Sequence, residues 1–220
     1  MAERTSDEPV PEVDEQRYRR RVRRSTVAII AVVLLAGAAF AGRAAFAAHA
    51  RSQVDISLGP ARLTCADLPD GSPGTTPGGA AVIGAGMECR LPVRITNHGR
   101  SPVALGDLRL PGVGPGTGGA VRATGLDPNP HPERLASGPA NGGAQPPEAL
   151  FALDRTLAPG ETLRFDVIFH HNADGCAPQG WRLGLARSPQ VEVRSLGLGG
   201  TRTVRGEPVP FWSATDVNDC

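Results

Sequence analysis

The sequence predicts an all-β domain, an antiparallel β-sandwich, preceded by one N-terminal transmembrane α-helix. Three observations carry that expectation: an apolar stretch near the N-terminus flanked by arginines, a period-two alternation of apolar and polar residues after residue 52, and four cysteines confined to the later part of the chain. A chain of 220 residues has room for one sizeable core plus an appendage. The organisation read from it is a disordered, basic cytoplasmic tail over residues 1–24, a membrane-spanning helix over 25–50 and an extracytoplasmic domain over 51–220. A Gly/Pro-rich loop at 111–148 interrupts that domain.

From Ser25 to Gly42 there is no charge, and after Arg43 the chain stays apolar until Arg51. A bilayer is crossed by about 20 apolar residues rising 1.5 Å each, and Arg43 can extend its aliphatic stem toward the headgroups. Residues 17–24 hold six arginines, against Arg43 and Arg51 on the far side. The positive-inside rule therefore predicts a single-pass protein of the cell membrane, N-terminus cytoplasmic and C-terminal domain extracellular. The arginine run also suits contact with anionic membrane lipids. Ala48-His49-Ala50 supports the competing expectation, secretion after signal-peptide cleavage near Ala50. Against it stand an acidic leader of unusual length and the eight residues between the apolar core and the cut. Arg23-Arg24 is a nominal twin-arginine pair of the kind any such run contains.

Net charge is +1, which excludes the general attraction to nucleic acid that a strongly basic domain shows. Cys65, Cys89, Cys176 and Cys220 form an even set on the side predicted to be oxidising, so two disulfides are expected. Of three connectivities, Cys65 with Cys89 and Cys176 with Cys220 is favoured, because the first pair closes a Gly-rich excursion and the second ties down the chain end. There is no CxxC and no Cys/His spacing of a zinc site.

The strands follow from alternation. Val54, Ile56 and Leu58 are one series; Met87, Cys89, Leu91, Val93 and Ile95 are a longer one, with Glu88, Arg90, Arg94 and Thr96 on the opposite face. Pro92 on that second face argues against a central position in a sheet. Residues 97–102 supply turn residues before Val103, Leu105, Leu108 and Leu110, predicting a hairpin. Leu157-Ala-Pro-Gly-Glu161 predicts a type II turn leading into Leu163, Phe165, Val167 and Phe169. Trp181, Leu183 and Leu185 alternate, as do Val191 and Val193, before a glycine turn into residues 201–205. Gly and Pro supply close to half of Pro111 to Glu148, so that stretch is expected to be disordered or loosely packed, with room for a short strand between Ala120 and Leu126.

The pairing of VRITNHGRSPVALGDLRLPG (Val93 to Gly112) with LAPGETLRFDVIF (Leu157 to Phe169) resembles the immunoglobulin-like and fibronectin-type-III-like modules of secreted and membrane-anchored actinobacterial proteins. There, a strand ending in Thr-Asn-x-Gly is followed by Pro-Val, and a later Leu-x-Pro-Gly-Glu turn precedes an apolar strand. The resemblance implies an immunoglobulin-like β-sandwich and carries no catalytic residue. The chain's one tyrosine, Tyr18, lies in the tail, so the tyrosine corner is missing, as is an antibody-type Cys-Trp-Cys arrangement. All 23 basic residues are arginine, which fits a GC-rich actinobacterial genome.

Candidate chemistry is sparse. His170-His171 is the best metal-ligand candidate, with Asp166 or Asp174 as helpers, yet neighbours on a strand point to opposite faces. The plainer expectation is an exposed His170 and a rim-packed His171. His98 falls in a turn and His131 in the Pro-rich loop. Ser101 lacks the second glycine of a nucleophile elbow, and Asp127, Glu133, Glu161 and Asp166 are scattered, so no enzyme and no cofactor is expected. Trp181 and Trp212 read as core and terminal anchors. The expected function is a non-catalytic interaction module presented to another cell-envelope protein. The alternative is an extracytoplasmic metal- or small-ligand-binding protein using His170 and His171.

Overall fold

A computed structural model describes residues 15–58, 63–77, 79–114, 119–128, 135–137, 148–180, 182–184, 189–204 and 210–213. The chain divides into two units, Met1–Ala45 and Phe46–Cys220.

Helix α1 (Glu15–Ser52) fills the described part of the first unit and ends in the second. Its segment Thr26–Ser52, with a mean hydropathy of 2.2, is long and apolar enough to cross a membrane. Val27, Ile29, Ile30, Val32, Val33, Leu34, Leu35 and Phe40 are all exposed on it, so the helix offers apolar surface rather than burying it. It starts ten residues before the predicted span, making residues 15–24 of the expected disordered tail helical. Arginine and glutamine are good helix formers, and extending an existing helix needs no new nucleus. Residues 1–14 of that tail lie outside the described residues.

The second unit is mostly strand: β1 (Val54–Leu58), β2 (Thr64–Cys65), β3 (Ala81–Ile83), β4 (Glu88–Asn97), β5 (Val103–Pro111), β6 (Val121–Asp127), β7 (Leu135–Ser137), β8 (Glu148–Leu157), β9 (Thr162–His171), β10 (Arg182–Gly184), β11 (Gln190–Ser195), β12 (Leu198–Thr203) and β13 (Pro210–Ser213). One sheet runs β1-β4-β9-β6 with β2 also on β4, a second runs β12-β11-β5-β8-β7, and a small third runs β10-β13-β3. The named strand pairs are antiparallel except β3 with β13.

Alternation does what the sequence predicts. Cys89, Leu91, Val93 and Ile95 of β4 are buried together with Phe165, Val167 and Phe169 of β9. They join Val103, Leu105, Leu108 and Leu110 of β5, Phe151 and Leu153 of β8 and Val191 and Val193 of β11 in one continuous core. Phe169 meets Phe211 of β13 with ring centroids 5.4 Å apart, bringing the third sheet into the same core.

Three expectations need correction. First, β4 and β5 do not form a hairpin: β4 pairs with β1, β2 and β9, whereas β5 pairs with β8 and β11. Both strands bury an apolar face in the shared core, so the chain crosses between sheets instead of folding back. Second, β4 is interior to its sheet despite Pro92. On one side β1 pairs with residues 93–97 and β2 with residues 89–90, so Pro92 falls in a gap between two short neighbours. Its missing N–H is tolerated there for the same reason it is tolerated on an edge. Third, the Gly/Pro-rich stretch is more ordered than expected: besides the short strand allowed for between Ala120 and Leu126, which is β6 at the end of the first sheet beside β9, it contains β7 on β8. Residues 115–118, 129–134 and 138–147 of it lie outside the described residues. Strands β2, β3, β7, β8 and β13 are not among those the alternation predicts.

Cys65 and Cys89 stand directly opposite across β2 and β4 and are joined by a disulfide. The loop it closes contributes about 2–4 kcal/mol by restricting the unfolded chain. Cys176 is disulfide-bonded too, and Cys220, its expected partner, lies outside the described residues.

The two predicted turns interlock. Ala158-Pro159-Gly160-Glu161 closes with Glu161 N–H donating to the Ala158 carbonyl at 3.0 Å and Gly160 at φ 76°, as a type II turn requires. The Glu161 carboxylate accepts from the Ala158 N–H at 2.8 Å and from Arg155 at 2.9 Å, and these bonds, in that order, hold its pKa below the usual carboxylate value. Asn97, fully buried, reaches this turn from β4. Its amide nitrogen donates to the carbonyls of Ser101, Leu157 and Ala158 at 2.9, 3.1 and 3.2 Å, and its amide oxygen accepts from Gly99 N–H at 3.0 Å. Its backbone N–H donates to the Glu161 carbonyl, and its carbonyl accepts from Gly160 N–H. Replacing Asn97 by alanine leaves buried carbonyls unpaired and should cost about 3 kcal/mol. Asn97→Asp, which sets carboxylate against carbonyl oxygens, should cost more than Asn97→Ala. Denaturant unfolding of the full chain in detergent micelles measures both.

Candidate functional site

The outward face of the first sheet gathers the polar residues of three strands. Alternation on β4 puts Glu88 and Arg90 there, and β9 adds Asp166, Ile168 and His170. Arg90 donates to Asp127 of β6 at 2.7 Å and to Glu88 at 3.3 Å. Thr124 sits where the β6–β9 register slips by one residue between Ala123 and Gly125. A slip of this kind re-aims a side chain, and the Thr124 hydroxyl lies 2.6 Å from His170 Nδ1. The Nε2 atom of His170 is 3.9 Å from Glu88. Thr124, His170, Glu88, Arg90 and Asp127 thus form a line of polar contacts across the sheet.

The line is loosely spaced and open to solvent. Hydroxyl, imidazole and carboxylate are in sequence, but 3.9 Å from Nε2 to Glu88 is longer than a hydrogen bond. The Glu88, Arg90, Asp127 and His170 side chains are between 41% and 53% exposed, so water screens their charges.

Of the predicted candidates, His170 and Asp166 share the outward face, whereas His171 pairs in register with buried Val121 at the rim of the core. The two imidazoles do not converge, and among the described residues no three His, Cys, Asp or Glu side chains group as a metal ion needs. Asp174 falls in the turn beyond β9. The His98 N–H donates to the Gln53 carbonyl, and Trp212 packs partly buried against the core. His131, Glu133 and Trp181 lie outside the described residues. The sequence reading did not link Thr124 to His170, because nothing local in the sequence marks the register slip.

A second feature is the junction between helix and strands. Within the second unit, Ala47 and Ala50 of the last helical turns are buried, three residues apart and so on one helix face. Arg51 Nη1 donates to the Leu198 carbonyl of β12 at 2.8 Å. Arg202, also on β12, donates to the carbonyls of Ser52 and Val54 at 3.4 and 3.3 Å. Gly200 leaves space for this clamp: a Cβ there would stand 3.0 Å from Arg51 Nε.

Partial burial first, and the charge of Arg122 second, push the His171 pKa below its ordinary value of 6.5. The unfolded chain therefore binds the proton more readily, and the stability tied to neutral His171 is lost as pH falls from 6.5 toward the lowered value. Unfolding midpoints should drop between about pH 7.5 and pH 5.5 by more in the native chain than in His171→Gln, and imidazole NMR titration should place His171 below 6.5. Compared with known proteins, the chain matches no family model and no curated protein.

Proposed function

We propose that this chain is a single-pass membrane protein with its N-terminus in the cytoplasm, whose extracytoplasmic β-rich unit is an immunoglobulin-like sandwich serving as a non-catalytic interaction module for another cell-envelope protein. The junction carries the reading. Residues 46–52 are at once the end of an apolar helix and part of the β-rich unit, with Ala47 and Ala50 buried and Arg51 hydrogen-bonded to β12. Cleavage after Ala50 would split that segment, discarding the buried Ala47 and Ala50 and leaving Arg51 as a chain end. An uncleaved anchor keeps every one of these contacts.

The sandwich reading rests on strand order. The neighbours β1-β4-β9 and β12-β11-β5 have the connectivity of strands A-B-E and G-F-C in the immunoglobulin fold, and β6 stands where D would. One departure is that β6 precedes β8, the strand beside β5, in the chain. Fold does not assign function; the binding role rests on the exposed polar line from Thr124 to Asp127, which is open on a sheet face rather than enclosed.

Two measurements test this on the full chain in intact bacterial cells. N-terminal sequencing after alkaline carbonate washing should return an uncleaved, membrane-retained protein; a mature chain starting at Arg51 would overturn the anchor. A photo-crosslinking residue at Ile168, between Arg90 and His170 on the outward face, should give one discrete adduct that Arg90→Glu abolishes. The absence of an adduct from Ile168 and from His170 would overturn the assignment of that face.

A further inference from the structure

The β11–β12 hairpin has a two-residue loop, Leu196-Gly197, closed by the pair Ser195 and Leu198. Both loop residues have positive φ, 52° and 77°. Hairpins meet that demand with Asn-Gly, Asp-Gly or Gly-Gly, whereas a leucine there presses its Cβ toward the following carbonyl. The strained leucine is also displayed. Among the described residues after α1, Leu196 is the one large apolar side chain that stands exposed, at 48%. An asparagine would relieve the backbone and suit water better, so strain and exposure both point to something outside the fold.

The position of the loop says what that is. The Leu198 carbonyl, two residues from Leu196, accepts the hydrogen bond from Arg51, so the loop lies at the end of the β-rich unit where the apolar helix arrives. The turns at residues 98–102 and 158–161 meet at this end through Asn97 and Gln53. Arg100 is exposed in the first of them. Three residues in from the end of β4, Arg94 stands directly opposite Arg164 of β9, and neither makes an ion pair among the described residues. Like charges directly opposite repel unless an anion joins them. An exposed apolar tip and a set of arginines at one end match the layering of a bilayer surface, acyl chains below and phosphates above.

We propose that this end of the β-rich unit docks on the bilayer that the helix crosses, with Leu196 entering the boundary of headgroups and acyl chains and Arg94, Arg100 and Arg164 contacting anionic lipid phosphates. The inference rests on reading residues 25–50 as a membrane span. It makes the membrane surface a second attachment, which fixes which face of the sheets is left open to a partner.

The test uses the full chain carrying Leu196→Trp, reconstituted in vesicles of phosphatidylcholine with phosphatidylglycerol, with the unsubstituted chain as background for Trp181 and Trp212. Lipids brominated near the top of the acyl chain should remove roughly half of the added emission. That quenching should weaken in pure phosphatidylcholine and in Arg94→Gln/Arg164→Gln. Leu196→Asn should raise the unfolding midpoint in detergent, because it relieves the turn while leaving the core untouched. Added emission that stays water-like and unquenched in both lipid mixtures, with the chain still retained after a carbonate wash, would overturn the docking and leave the anchor standing. Release of the chain by that wash would instead overturn the span.

Discussion

One buried amide holds the β-rich unit together at the end where the chain enters it. Asn97 ties the end of β4 to the 98–102 turn through its own side chain, and to the 158–161 turn through side chain and backbone alike. Because β4 belongs to one sheet and the β8 strand leading into Leu157 to another, these bonds also join the two large sheets. Burial of their apolar faces in one core holds the sheets together in a non-directional way. The Asn97 bonds are directional and buried, so they fix a single relative placement.

That same residue explains what the sequence could and could not disclose. The Thr-Asn-x-Gly and Leu-x-Pro-Gly-Glu segments were legible as a resemblance, and in the structure they are in contact, about 60 residues apart in sequence. Strands β4 and β9, the type II turn and the Cys65–Cys89 bridge were legible because each depends on local alternation, a turn signature or a spacing. Strand β8 was hidden, although Ala149, Phe151 and Leu153 alternate, because it begins inside the Gly/Pro-rich stretch and is interrupted where Asp154 takes a positive φ of 37°. Pro92 misled because the neighbour that would have needed its N–H is split into two strands. The polar line through Thr124, His170 and Glu88 draws on three strands and a register slip, none of it visible along the chain.

The junction changes how the N-terminal segment is understood. As sequence, Ala48-His49-Ala50 reads as a processing site; as structure, Ala48 and His49 are exposed on the helix end while Ala50 is buried and the next residue, Arg51, is held by β12. Small residues at positions 47 and 50 serve close packing, and glycine at position 200 serves the arginine that lies over it. Ala50 thus belongs both to the apparent processing signal and to the buried residues of the β-rich unit.

The interruption opposite Pro92 has a consequence for self-association. A long uncovered strand invites another chain to add to it and seed an aggregate. Here the margin of the first sheet is broken into a five-residue piece and a two-residue piece, the shorter one stapled by Cys65 and Cys89. An incoming strand finds no continuous rail of donors and acceptors, so copies can crowd together without polymerising along that side.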